Sequence, residues 1–254
     1  MIDKRIILIG KEHLGNRDFE FFQRVYSSDL DIYLNRVKAV DFVGMDNVLD
    51  AGCGMGQWSL MMAKVNNHIY SIDNSYSRIN VVSELAGYMN VKNISPSVGD
   101  VGSLKGFEDC FFDAVFCYSV FNFTNYYNCI REFARVLKPG GRLYATANGL
   151  GWYINMIVSE KNKTMHYDPR MESVEIINTS LNLFSSNSKD IEGSTVIPKE
   201  HLLKLLMVEG FDNVICQDEG AIQLTEIKPQ TFYSNLQNYG MENVYEVVAR
   251  KATI

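Results

Sequence analysis

A short apolar strand that runs directly into a glycine-rich turn and then into a helix constrains the fold of this chain most. The segment reads Val-Leu-Asp-Ala-Gly-Cys-Gly-Met-Gly-Gln-Trp over residues 48–58. Glycine is needed where the backbone passes close to a ligand lying over the strand ends, and where the turn requires a positive φ. The segment therefore predicts a nucleotide-like ligand at the carboxyl end of a strand in an α/β sheet.

The spacing of these glycines argues against a dinucleotide. A dinucleotide fingerprint reads G-x-G-x-x-G/A, whereas here the third small position is Gln57 and glycine falls one residue earlier, at Gly56. The pattern favours S-adenosylmethionine, which has no pyrophosphate for the helix N-terminus to hold. A purely structural turn is the alternative for a glycine triplet taken alone.

Two acidic residues follow later strands. Asp73 ends the apolar run 69–72, about 20 residues past the turn, where a carboxylate can accept hydrogen bonds from both ribose hydroxyls. Asp73 could instead only cap the next helix. Asp100 follows the run 94–98, and a carboxylate beside a backbone N–H can pair with the edge of adenine. Gly-Asp is also common in plain turns.

Short apolar runs alternate with helical patterns along the chain, which predicts a mostly parallel sheet covered on both faces. A helix with its apolar stripe at 127–137 is predicted to stop at Lys-Pro-Gly-Gly, 138–141, and there turn the chain into a strand. Residues 149–196 are rich in Asn, Ser and aromatics and predict an inserted cap with some helix. The predicted strands are 48–49, 69–72, 94–98, 112–118, 143–147, 213–216 and 244–249, and a helix is predicted from Pro198 to Val208.

The N-terminal region, 1–45, has apolar residues at three- and four-residue spacing, which predicts helices with one buried face. The stripe is broken at 27–29 into two helices, with Ser28 as the cap of the second and Gly44 as its end. The stripe consists of Phe22, Tyr26, Leu30, Tyr33 and Val37.

Charge and composition exclude several classes of function. A net charge of −6 gives little attraction for phosphate backbones, so nucleic acid is not expected as a partner. The apolar run at 6–9 is too short for a signal peptide or a membrane span, which predicts a cytoplasmic protein without a membrane partner. The five cysteines form no CxxC pair and are expected to be buried thiols, and the four histidines have no metal-ligand spacing, so no metal is expected.

The pieces between about 46 and 148, taken together, resemble the class I S-adenosylmethionine-dependent methyltransferases. Five segments occur in that family's order and spacing: the turn at 50–56, Asp73, Gly99-Asp100, 112–119 and 137–141. The resemblance implies a Rossmann-like α/β fold with a seven-stranded, mostly parallel sheet of order 3-2-1-4-5-7-6 and an antiparallel strand 7. One domain, 1–254, would comprise N-terminal helices (1–45), a cofactor-binding half (46–148), the cap (149–196) and the end of the sheet (197–254).

The resemblance also implies positions for the cofactor. Gly52 and Gly54 would pass close to its methionine portion, and Asp50 would orient its ammonium group through water. Asp73 would hold the ribose and Asp100 the adenine. The remaining residues expected at the cofactor are Cys53, Asn74, Val101, Cys117 and Tyr118, the last two bordering the sulfonium.

The predicted reaction is methyl transfer to oxygen or nitrogen of a small molecule, such as a sugar or a secondary metabolite. Many relatives carry a histidine soon after strand four, but residues 120–124 contain none. His166 is the candidate general base and His13 the second choice, with a plain surface histidine as the alternative. Trp152 and Tyr153, with Tyr118, could wall the acceptor pocket.

Two other functions are compatible with the sequence: an NAD(P)-dependent oxidoreductase, and a non-catalytic protein that binds the cofactor and acts through partners. A homodimer formed through the N-terminal helices or the cap is a further alternative.

Overall fold

The structure is a computed structural model that describes residues 3–186, 188–191 and 193–253. Its sheet has seven strands in the order β3-β2-β1-β4-β5-β7-β6. β7 is antiparallel to both β5 and β6, and the other pairs are parallel. The predicted strand order is confirmed. The strands are β1 (Asn47–Ala51), β2 (His68–Asp73), β3 (Ile94–Val98), β4 (Phe112–Cys117), β5 (Leu137–Asn148), β6 (Phe211–Asp218) and β7 (Val244–Lys251).

Helices cover both faces of this sheet. One core joins α6 and α9 to the sheet, and the other joins α1 to α5 to its opposite face, as a doubly wound arrangement requires. Val115 and Phe116, adjacent on β4, point into these two cores. The helices are α1 (Lys4–His13), α2 (Asn16–Tyr26), α3 (Asp31–Ala39), α4 (Gln57–Met62), α5 (Tyr76–Tyr88), α6 (Tyr126–Val136), α7 (Leu150–Ser159), α8 (Pro169–Ser186) and α9 (Lys199–Val208).

Strand register brings the predicted site residues to one edge of the sheet. Asp50 on β1 lies opposite Ser71 on one side and Phe116 on the other. Asp73 pairs with Val98, so the turn containing Asp100 begins level with the end of β2. The carboxyl ends of β1, β2, β3 and β4 therefore meet where ligands of open α/β sheets bind.

The N-terminal region differs in detail from the prediction. The break at 27–29 is confirmed, but an additional helix, α1, precedes α2. Ser28 does not cap α3, because its hydroxyl donates to the Val25 carbonyl, and the Asp31 N–H is instead accepted by Asp29. The helix ends at Ala39 rather than at Gly44.

The Lys-Pro-Gly-Gly segment is not a turn between helix and strand. α6 ends at Val136, and residues 138–141 already lie inside β5. The ladder with β4 shifts register between Phe112 and Ala114, and Gly140 has φ +75°. A bulge beside a glycine in the left-handed region absorbs the reversal that the sequence had assigned to a turn.

The predicted cap, 149–196, includes two positions outside the described residues and contributes α7 and α8. Asn122, just after β4, fixes it to the sheet by donating to the carbonyls of Asn148 and Thr195. Three cysteines are buried as expected, but Cys110 is exposed in a left-handed turn. Among the described residues, no helix has both the length and the apolar character needed to cross a bilayer.

Candidate functional site

The glycine turn after β1 is held against the end of β2. The backbone N–H groups of Gly52 and Cys53 both donate to the carbonyl of Ile72, at 2.7 and 2.8 Å. Gly52 has φ +74°, and a Cβ at this position would lie 2.3 Å from the Val120 side chain. Gly54 has φ +54°, yet no heavy atom lies within 4 Å of the place its Cβ would take. The turn is thus packed at Gly52 and open at Gly54.

Asp73 bridges the open part of this turn. Its two carboxylate oxygens accept from the N–H groups of Gly54 at 3.0 Å and Ser75 at 2.9 Å. The N-cap of α5 is Ser75, so Asp73 is not that cap. Each carboxylate oxygen has a second lone pair, and Asp73 can therefore still accept hydrogen bonds from a diol such as a ribose.

Asp50 is a second carboxylate in the same place. It is 1% exposed and accepts a hydrogen bond from the Ser59 hydroxyl at 2.5 Å. Burial, reinforced by the negative charge of Asp73, raises the pKa of Asp50 to about 7 despite the Ser59 bond. Two neighbouring buried carboxylates favour a cationic ligand, because a nearby positive charge stabilises both anions. S-adenosylmethionine carries a sulfonium and an ammonium group, so these residues fit it.

The loop after β3 completes the predicted cofactor side. The Gly99 N–H donates to the Asp73 carbonyl at 3.0 Å, which holds the loop beside the end of β2. Val101 is buried, whereas Asp100 is exposed and accepts from the Gly102 N–H at 2.8 Å. Asn74 is also exposed. The apolar side chain of Val101 and the exposed carboxylate of Asp100 lie in the same loop. Together they suit an adenine base that has one face covered by the protein and its edge free to form a hydrogen bond.

The end of β4 borders the glycine turn. Cys117 is fully buried, and burial raises its thiol pKa well above the usual value, so the thiol is not a nucleophile at neutral pH. The ring of Tyr118 packs on Trp58, with 4.7 Å between centroids, and its hydroxyl donates to Glu219 at 2.9 Å.

A buried ionic cluster, which the sequence reading missed, lies behind Tyr118. Arg36 on α3 is fully buried and contacts Glu219 at 2.7 Å and Glu246 at 3.0 Å. It also donates to the hydroxyl of Tyr144, which in turn donates to Glu246. Burial opposes the charge of Arg36, but Tyr144, Glu219 and Glu246 raise its pKa overall. The cluster ties the N-terminal helices to the last two strands.

The two predicted histidines each contact a neighbouring helix, His13 from the end of α1 and His166 from the loop between α7 and α8. His166 is exposed, and its ring nitrogens lie 3.0 Å from Glu20 and 3.2 Å from the Asn16 side chain, both on α2. His13 bonds Glu84 on α5 at 2.8 Å. Glu12 lies close enough to this pair for the three side chains to share an ion. Neither histidine is among the residues that form the turn or the acidic pair.

Aromatic and hydroxyl groups line the side of the site toward the cap. Trp152 on α7 packs edge-on against Tyr233, with 5.1 Å between centroids. Ser119, directly after Tyr118, has φ +58°, and its buried hydroxyl has no hydrogen-bond partner among the described residues. Tyr153 is buried and its hydroxyl is likewise without a partner there. Ser119 and Tyr233 could be recognised only once the fold was known.

Comparisons with known proteins converge on this region. A family model described as "Methyltransferase domain" matches residues 49–145, which include the turn, both acids and β4. Demethylmenaquinone methyltransferase of Listeria welshimeri is 36% identical over 101 residues, 38% of this chain and 42% of that protein. The tRNA N(3)-methylcytidine methyltransferase trm140 of Schizosaccharomyces pombe is 32% identical over 139 residues, 50% of this chain and 44% of that protein.

The aligned part thus spans less than half the length of these relatives. The fold extends further than the sequence likeness. Geranyl diphosphate methyltransferase, solved in complex with S-adenosylmethionine, superposes with a TM-score of 0.59 at 13% identity, covering 93% of this chain and 89% of that one.

Proposed function

We propose that this chain, a member of the class I S-adenosylmethionine-dependent methyltransferase family, methylates oxygen or nitrogen of a small molecule. The family's cofactor, S-adenosylmethionine, supplies an electrophilic methyl group on a sulfonium. The observation that carries the proposal is the convergence of Gly54, Asp73 and Asp50 on one open turn.

Each of these residues has a separate task. Asp73 binds the ribose hydroxyls, and the turn at Gly54 leaves room for the methionine portion. Asp50 balances the positive charge of the ligand from a buried position. Val101 and Asp100 hold the adenine, while the end of β4 at Cys117 and Tyr118 faces the reacting centre. A fixed geometry of this kind supplies most of what an in-line displacement needs.

Overall charge supports a small-molecule acceptor. The chain has 30 acidic and 24 basic residues, and an acidic surface repels the phosphates of RNA. Because one matching relative is named as a tRNA methyltransferase, tRNA is the competing acceptor to test.

His166 is the proposed general base where the acceptor must lose a proton. Its contacts with Glu20 and Asn16 place the cap against α2, so a base role requires that the cap present the ring to the acceptor during turnover. A contact that only fixes the cap is the competing role.

The first test is calorimetric titration with S-adenosylhomocysteine. Asp73→Ala should weaken binding by about 1 to 3 kcal/mol through lost hydrogen bonds, whereas Asp212→Ala, a change at an exposed position on β6, should leave it unchanged. Wild-type affinity for Asp73→Ala, or binding of NADH in place of the homocysteine compound, would contradict the proposal.

The second test uses labelled methyl transfer. Cofactor with a tritiated methyl group is incubated with a metabolite extract and, separately, with total tRNA. We expect label in the low-molecular-weight fraction. Label in tRNA would overturn the acceptor class while leaving the methyltransferase assignment intact.

A further inference from the structure

The connection between β6 and β7, residues 219–243, is fixed at the carboxyl end of β4. Glu219, at the start of the connection, is bonded to its middle. The Thr231 hydroxyl and the Phe232 N–H both donate to one oxygen of Glu219, at 2.8 and 3.0 Å. It is also attached to the end of α3, where the Leu224 N–H donates to the Ala39 carbonyl at 2.7 Å. This long connection is therefore held in place beside the candidate site.

Glu219 is the centre of that arrangement. Its second oxygen accepts from the Tyr118 hydroxyl at 2.9 Å and lies 2.7 Å from the Arg36 guanidinium. A carboxylate has about four lone-pair sites, and here three hydrogen bonds and the ion pair with Arg36 occupy them. Glu219 is 5% exposed. It is consequently occupied in holding its neighbours and is not available as a base.

These bonds determine which hydroxyl groups are left for a ligand. Tyr118 gives its proton to Glu219. Tyr233 follows the anchored Phe232, and its hydroxyl lies beside the side chains of Ser119 and Tyr118. The Ser119 hydroxyl is buried but makes no hydrogen bond of ordinary geometry with a described residue. The backbone of Ser119 has φ +58°. Left-handed conformations of residues other than glycine concentrate at functional sites.

The surroundings of these two hydroxyls are mainly aromatic, and the charged groups nearby, Glu219 and Arg36, are paired with each other. Trp152 packs against the Tyr233 ring, and Phe232 lies 5.9 Å from the ring of Tyr118. The nearby guanidinium of Arg36 is already paired with buried carboxylates. Aromatic walls favour a flat apolar ligand, and a serine and a tyrosine hydroxyl can each donate to, or accept from, a hydroxyl group on such a ligand.

We propose that the hydroxyls of Ser119 and Tyr233 bind the hydroxyl of a neutral aromatic acceptor, and that Glu219 is the positioning residue that aligns them. The proposal rests on the proposed function and names its acceptor class, a phenol. It assigns acceptor choice to the 219–243 connection as well as to the cap.

Binding of two chromogenic probes tests this without knowledge of the physiological acceptor. Protein saturated with S-adenosylhomocysteine is titrated, at a pH below the pKa of para-nitrophenol so that this probe is neutral, with para-nitrophenol and with para-nitroanisole, which has the same ring but no hydroxyl proton. We expect the wild type to prefer para-nitrophenol by about tenfold, the worth of one or two buried hydrogen bonds. Equal affinity for both probes, or binding of neither, would overturn the proposal.

Variants then show which residues produce the preference for para-nitrophenol. Ser119→Ala and Tyr233→Phe should each reduce the preference about threefold or more, and together abolish it, with unchanged affinity for para-nitroanisole. Tyr239→Phe, in the same connection but 40% exposed, is the matched control and should bind like the wild type. Single variants that keep the full preference would refute the role of these hydroxyls.

Glu219→Gln tests positioning. A purely structural loss would weaken both probes alike, whereas lost alignment lowers the ratio of their affinities. An unchanged ratio would remove Glu219 from this role. Affinity for S-adenosylhomocysteine is measured in every variant. A wild type that does not bind this compound contradicts the proposed function. A wild type that binds it but shows no preference between the two probes contradicts only the acceptor class.

Discussion

A comparison of three glycine substitutions gives the sharpest test of the open turn. Gly44 and Gly54 have φ +74° and +54°, and neither has a heavy atom within 4 Å of its absent Cβ. Alanine in the left-handed region costs about 1–2 kcal/mol. Both Gly44→Ala and Gly54→Ala should therefore lose this much unfolding free energy, about 2 to 8 °C in Tm for a chain of this size.

Ligand affinity should separate the two variants. Gly44 precedes β1, at the amino end of the sheet, whereas Gly54 lies in the proposed cofactor turn. A methyl group placed between turn and ligand imposes an overpacking cost of about 1–3 kcal/mol, which corresponds to a roughly 5- to 150-fold rise in the Kd for S-adenosylhomocysteine. Gly44→Ala should bind like the wild type. Calorimetry that gives Gly54→Ala the same Kd as Gly44→Ala would refute the assignment of the turn.

Gly52 provides the third point of the comparison. Its Cβ would lie 2.3 Å from Val120, so Gly52→Ala adds a steric clash to the cost of the positive φ. We expect a larger loss of stability than for Gly44→Ala, with part of it recovered in the double variant Gly52→Ala/Val120→Ala. Recovery is measured by denaturant unfolding, and a double variant no more stable than Gly52→Ala alone would exclude the clash.

Three further predictions concern charge. Because the pKa of Asp50 is raised to about 7, a cationic ligand that needs the ionised carboxylate should bind more tightly as pH rises, by about tenfold from pH 6 to 8. Calorimetric titrations of Asp50→Asn should show no such pH dependence. Arg36→Met leaves buried carboxylates unpaired and should cost about 3–5 kcal/mol of unfolding free energy. Adding Glu246→Gln should restore part of this loss, and a loss below about 1 kcal/mol in Arg36→Met would contradict a buried ion pair. His166→Ala should lower kcat without changing the Kd for S-adenosylhomocysteine, and unchanged turnover would show that His166 is not the base.

The sheet, and the edge at which the predicted site residues meet, could be predicted because each depends on local sequence signals. Short apolar runs between helical patterns fix the strands, and glycine or aspartate at a strand end indicates the ligand side. The sequence predicts the Lys-Pro-Gly-Gly segment as a turn between helix and strand, but the ladder with β4 already begins at Leu137 and resumes at Arg142. Residues 138–141 are therefore an unpaired bulge inside β5, and only the register shift near Phe112 reveals it.

The hydroxyl groups of the proposed acceptor side could not be predicted, since they come from distant segments. Ser119 lies in the connection after β4, whereas Glu219 and Tyr233 lie in the connection between β6 and β7, and neither connection carries a motif. A usable signal was present in β7, where Glu246 interrupts the apolar run 244–249. A carboxylate inside a central strand needs a buried partner, but nothing in the sequence names Arg36 as that partner.

The pairing of Arg36 with Glu246 also sets an order of events during synthesis. The guanidinium emerges from the ribosome 210 residues before the carboxylate that it meets. Until Glu219 and Glu246 have been made, α3 carries a cation that cannot be desolvated without heavy cost, so we expect this helix to dock late. A nascent chain stalled before β7 is accordingly expected to expose the apolar faces of α2 and α3 to chaperones.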